Sequence, residues 1–159
     1  MRLGMVDISA KEDVVRISEA YGRLRLKRDT VLAIERGEGP KGDVLSCAET
    51  AAILAVKNTP FTIPLCHPIG ISGVSVDFNL GCDGDGGVVE VFVTVKSVGK
   101  TGVEMEALHG VAIALLTIWD MVKGLEKDDS GNYPTTKIEE IRVLSKVKRA
   151  EEGSKVDDE

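Results

Sequence analysis

The chain has 159 residues, a net charge of −6, 43% apolar and 29% charged side chains, which suits one compact soluble domain. Aromatic content of 4% argues against a stacking platform for single-stranded nucleic acid, and the acidic balance argues against nonspecific nucleic-acid binding, although a local basic pocket for a small anion stays open. The start, MRLGMVDISAKED, has no apolar signal core, and three widely spaced cysteines, Cys47, Cys66 and Cys82, read as reduced thiols in a cytoplasmic protein with no membrane anchor.

Residues 1–13 are polar and mixed and read as an N-terminal arm. Val14 to Leu26 ends in alternation at Leu24 and Leu26 and predicts a strand. Asp29 is placed to cap a short helix, Thr30 to Arg36, which Gly37 stops. After a tight loop, Gly37 to Gly42, Asp43 is placed to cap a second helix, about Val44 to Asn58, which Pro60 should end. Its apolar side is made of small residues such as Ala48, Ala52 and Ala55, which permit close packing.

The segment IPLCHPIG carries Pro64 and Pro68 around Cys66 and His67, so it reads as a stiff loop. Val74, Val76, Phe78 and Leu80 alternate, as do Val89, Val91, Val93 and Val95, and GCDGDGG between them is turn chemistry. A hairpin follows from that pattern. The run from Val103 to Leu125 has no proline and places Leu108, Val111, Leu115, Ile118 and Val122 on one helical stripe. Thr101 and Glu104 have capping-box spacing, which sets the helix start just after Thr101. Lys137 to Lys146 reads as a last strand, with Ile141 and Val143 among its apolar positions. Residues 150–159 are charged and read as a mobile tail, leaving 14–149 as one catalytic domain.

The order β, α, α, β, β, α, β points to an α+β fold of ferredoxin-like type: about four antiparallel strands with helices on one face. The long helix is apolar nearly all round, so cover from a second subunit is expected. Its charged interruptions argue against a membrane span.

Those interruptions are also the first candidates for chemistry. A charge in an apolar run must be paired or used. Asp120 and Lys123 share a helix face at i and i+3, fit for an acid–base pair with shifted pKa values or for a plain surface ion pair. Glu104 has a bland role in the capping box. Glu106 has none, and it suits either the ring N–H groups of a ligand or the helix dipole in water. His67 on a rigid loop could act as a base or bind phosphate. Sequence neighbours on an extended segment point opposite ways, which argues against a Cys66–His67 nucleophile pair. His109 is the only other histidine, which argues against zinc, and no cofactor or other metal is called for. Lys41, between Pro40 and Gly42, could present an ammonium to phosphate or lie solvated. Lys57 near a helix end is more simply a dipole-favoured cation, and Arg16 in the first strand could face the same anion. GKTG at the helix start lacks the remainder of a phosphate-loop pattern, and a plain capped helix is its simpler reading.

Glu106 and Asp120 lie fourteen residues apart, about 21 Å along a straight helix. One compact site cannot draw on both from one subunit, so a site shared between subunits is expected.

MVDISAK (Met5 to Lys11), KGDVL (Lys41 to Leu45), IPLCHP (Ile63 to Pro68), TGVEMEAL (Thr101 to Leu108) and LTIWDMVK (Leu116 to Lys123) follow in order along nearly the whole chain. In these segments the chain resembles the cyclic pyranopterin monophosphate synthases, the C proteins of molybdenum-cofactor biosynthesis. The resemblance implies a ferredoxin-like lyase, assembled as a homohexamer, a trimer of dimers, with active sites at subunit interfaces. It implies conversion of (8S)-3′,8-cyclo-7,8-dihydroguanosine 5′-triphosphate to cyclic pyranopterin monophosphate with release of diphosphate. By position, Asp120 matches the family's catalytic aspartate and Lys123 its partner lysine. Leu65, Cys66, His67, Met105 and Glu106 match substrate-binding segments, and Lys41, Lys57 and Arg16 match basic positions around the substrate. The family's glycine-rich lysine segment after the last strand is not matched; Gly153 to Lys155 echo it faintly, and Lys146 is the candidate in its place. A non-catalytic nucleotide-sensing module on the same scaffold is the competing reading, and retention of both Asp120 and Lys123 favours the enzyme.

Overall fold

A computed structural model describes residues 1–150. The charged tail lies, from residue 151 on, outside the described residues, as does the Gly153–Lys155 echo. The elements are β1 (Val14–Lys27), α1 (Arg28–Glu35), α2 (Val44–Thr62), β2 (Ile71–Asp83), β3 (Gly86–Gly99), α3 (Glu104–Glu126) and β4 (Lys137–Arg149). The four strands form one antiparallel sheet in the order β2-β3-β1-β4, the ferredoxin-like arrangement. Residues 1–13 form no helix or strand.

Period-two alternation builds the core face of the sheet. Ala20, Leu24 and Leu26 of β1 and Val89, Val91, Val93 and Val95 of β3 are buried. Against them lies the α3 stripe of Val111, Leu115, Ile118 and Val122, each fully buried, with Leu108 half-buried beside it. Each such side chain contributes about 1.5–3 kcal/mol by leaving water. Gly22 permits the approach of α3, because a Cβ there would lie 2.4 Å from Val111 Cγ1 and 2.8 Å from Leu115 Cδ1. Length and composition alone would let α3 cross a bilayer, but its apolar stripe packs on the sheet and α2.

Three boundaries differ from the sequence expectation, two of them because a partner distant in sequence replaces a local signal. The first helix starts at Arg28, and Asp29 does not cap it. Instead the Lys27 N–H donates to both oxygens of the Glu126 carboxylate, at 3.1 and 3.2 Å, and the Arg28 N–H donates to the Asp85 carbonyl. Glu126 is fully buried and also accepts from the hydroxyls of Thr30 and Thr136. Second, α2 runs through Pro60 to Thr62. The proline sits in the last turn, where it forfeits one donor, and the Ile63 N–H still reaches the Thr59 carbonyl at 2.9 Å. Third, the Thr101–Glu104 capping box does not form: Val103 is the N-cap and makes no side-chain cap. The Glu104 carboxylate turns to Lys146 of β4 instead. Asp43 does cap α2 as expected, accepting from the Ser46 N–H at 3.0 Å. The hairpin and the last strand are present and run longer than the sequence pattern shows, and the three cysteines are free thiols.

Candidate functional site

Apart from Lys57, the sequence candidates fall into two groups, one at each end of α3. The first surrounds a cleft of about 740 Å³ beside the α3 N-terminus. Its walls come from the 65–69 loop, the start of α3, Val143 of β4 and the N-terminal arm. Leu65, Cys66, His67, Met105 and Glu106 all line it. The stiff proline-flanked loop brings the first three, and one turn of helix brings the last two.

Glu106 is the chemically distinctive group here. It is 2% exposed, and among the described residues its Oε2 has no hydrogen-bond partner. A buried oxygen without a partner costs about 1–3 kcal/mol, so its retention calls for a donor from outside the chain. Burial pushes its carboxyl above the usual range, and the nearby Glu104 charge adds to the rise. A water-exposed first-turn carboxylate is therefore not what Glu106 is. Burial also raises the Cys66 thiol, with Glu106 contributing, which works against a thiolate nucleophile.

Glu104 behaves oppositely. Burial alone would raise it, but the Lys146 ammonium, its own backbone N–H and the Arg16 charge outweigh that and hold it below its usual range. Two carboxylates in one cleft thus have diverging proton affinities, a pattern found where one acid must stay charged and its neighbour can be neutral. Arg16 is buried, and its Nε donates to the Gly99 carbonyl at 3.3 Å.

The arm closes one side of the cleft with Gly4, Val6, Ile8 and Lys11. His67 Nε2 lies 2.7 Å from the Val6 carbonyl. A carbonyl only accepts, so this nitrogen carries the hydrogen and is not a free base. The Lys100 ammonium holds the Lys11 carbonyl at 2.7 Å. Among the described residues Lys11 is the one lysine lining the cleft, and role assignment from sequence missed it. The MVDISAK motif that contains it was visible, but a segment without periodicity gives no sign of where it folds back.

The second group lies near the C-terminal end of α3. Asp120 Oδ1 meets Lys123 Nζ at 2.8 Å, and its Oδ2 meets Lys41 Nζ at 2.8 Å. Helical spacing supplies Lys123, while the loop before α2, turned by the Gly42 N–H to Gly39 carbonyl bond, supplies Lys41. Lys123 first and Lys41 second pull the Asp120 carboxyl down to about 2, and Asp120 raises Lys123 in return. Within the chain this trio is largely exposed. Lys57 is exposed on α2, outside both groups. Among the described residues, no three of His, Cys, Asp and Glu are grouped so as to hold a metal ion.

Residues 5–149 match the model of the MoaC family, which is most of the chain and includes both groups. The chain belongs to the MoaC family. A MoaC relative from Archaeoglobus fulgidus is 55% identical over 151 residues, 95% of this chain and 94% of the relative. Another from Methanoregula boonei is 58% identical over 147 residues, 92% of each chain. A third from Pyrococcus furiosus is 54% identical over 144 residues, 91% of this chain and 90% of the relative. Each of the three is named a probable cyclic pyranopterin monophosphate synthase. This MoaC chain thus has Glu106 and Asp120 about 20 Å apart along one helix, each at the centre of its own group.

Proposed function

We propose that the cleft and the Asp120 trio are two halves of one active site, joined when the α3 N-terminus of one subunit meets the α3 C-terminus of another. The activity is that of a cyclic pyranopterin monophosphate synthase, a lyase of molybdenum cofactor biosynthesis. The substrate is (8S)-3′,8-cyclo-7,8-dihydroguanosine 5′-triphosphate, and the products are cyclic pyranopterin monophosphate and diphosphate. The observation that carries the shared site is the buried, unbonded Glu106 oxygen facing a cleft that holds no part of the Asp120 trio.

The chemistry divides between the halves. Glu106 accepts from N–H donors of the substrate's purine-derived ring, and Leu65, Cys66 and Met105 pack along it. Lys11, His67, Arg16, Lys57 and Lys146 supply cations or donors for the phosphates. Asp120 and Lys123 move protons as the ring opens and is rebuilt, and Lys41 keeps Asp120 ionised beside them. Positive charge stabilises the diphosphate as its phosphorus–oxygen bond breaks and the cyclic phosphate closes. Residues 14–149 form the catalytic domain, with residues 1–13 as an arm, in a cytoplasmic homohexamer built as a trimer of dimers.

Incubation of the purified protein with the cyclic triphosphate tests the reading. Stoichiometric release of diphosphate with formation of the pterin monophosphate is expected. Binding without release, under conditions that activate a control synthase, would leave only a nucleotide-sensing module.

A further inference from the structure

Gly102 lies two residues before α3 in the wall of the cleft. A Cβ built on it would fall within the Glu104 carboxylate, 2.8 Å from Cδ and from Oε1, with Oε2 closer still. The Glu104 side chain therefore folds back into the space that any other residue at 102 would fill. From that seat it pairs with Lys146 of β4 and lies near Arg16 of β1. Gly102 is not in the left-handed region, so alanine fits its backbone conformation. The obstacle is the far end of a flexible side chain, which can rotate away. Alanine at 102 should thus leave the fold intact and move a carboxylate.

We propose that Gly102 is a positioning residue of the active site: its missing side chain seats the Glu104 carboxylate, itself in the cleft wall, against Lys146 of β4, which fixes that ammonium through Glu104 for an anionic substrate. Only the kinetic half of this inference rests on the lyase reading above. The seating itself is a property of the substrate-free chain. Glu104 and Glu106 are close neighbours at the start of α3, and Lys146 engages the first alone. A displaced Glu104 would free Lys146 to swing and would put a second, unpaired carboxylate among the substrate's phosphates.

Gly102→Ala, Glu104→Ala and the double variant of the full chain test this. The titration of the Glu104 side-chain carbon, followed by NMR without substrate, should have its midpoint below the ordinary glutamate value in wild type and higher in Gly102→Ala. kcat/KM should fall about ten- to a hundredfold in Gly102→Ala, with the thermal midpoint unchanged. In the Glu104→Ala background the same substitution should change kcat/KM by less than about twofold, because its effect runs through Glu104. An unmoved Glu104 titration would overturn the seating. An equal kinetic loss with and without Glu104, or no loss at all, would overturn the positioning role. If wild type itself releases no diphosphate, the lyase reading and the kinetic half fall together, while the titration still decides the seating.

Discussion

Glu106→Gln should make the protein more stable and less active, and the stability change should depend on pH. The side chain is 2% exposed and one carboxylate oxygen has no partner. Its folded pKa is raised, so the native state holds the proton more tightly than the unfolded chain does. Wild-type stability is therefore fullest below the unfolded glutamate value and falls as pH rises through the folded one. At pH 8 the ionised, unbonded oxygen should cost about 1–2 kcal/mol, the lower part of the range for an unsatisfied buried group. Glutamine removes the charge and keeps the shape. Urea unfolding of both proteins at pH 4 and pH 8 gives the difference directly: near zero at pH 4, with the variant ahead by that amount at pH 8. Turnover should fall about 100-fold or more as ring N–H donors lose their carboxylate. A variant that is less stable than wild type at pH 8, or equally stable at both pH values, would refute the assignment of Glu106 as an unbonded buried acid.

Further outcomes follow from the other half of the site and from the frame. Asp120→Ala should lower kcat by about 10²–10⁴ with the assembly unchanged on gel filtration, because an exposed carboxylate is lost and no packing. In Lys41→Ala, the Asp120 midpoint should rise from about 2 towards the ordinary aspartate value, since a cation that favours the ionised form is gone; carboxylate NMR reads the shift. Glu126→Leu should destabilise the fold by about 2–4 kcal/mol in urea, because the Lys27 N–H and the hydroxyls of Thr30 and Thr136 lose their acceptor.

What the sequence disclosed depended on whether the signal was local. Alternation at Val89 to Val95 and the stripe from Val111 to Val122 identified the sheet and its covering helix, because burial imposes a period. The caps expected of Asp29 and Thr101 failed for the opposite reason. Glu126, distant in sequence, took over the first role, and Lys146, equally distant, drew Glu104 out of the second, and no nearby residue marks either. That Glu106 and Asp120 lie too far apart to meet within one chain was legible from helical rise alone. That Lys41 would reach Asp120 across 79 positions was not legible, nor that His67 would hold the arm at Val6 across 61. The resemblance named Lys41 and His67 as site positions, but their partners depend on how loops fold back. Asp120 is exposed within the single chain, as the surface-ion-pair alternative allowed.

The shared site is tested most directly by co-expressing Asp120→Ala and Glu106→Ala chains in equal amounts and measuring diphosphate release by the mixed oligomers. Each parent should be inactive. If each site takes Glu106 from one subunit and Asp120 from another, random mixing restores both residues in about a quarter of the sites, and activity should return to about that fraction of wild type. Mixed oligomers as inactive as their parents would contradict the account.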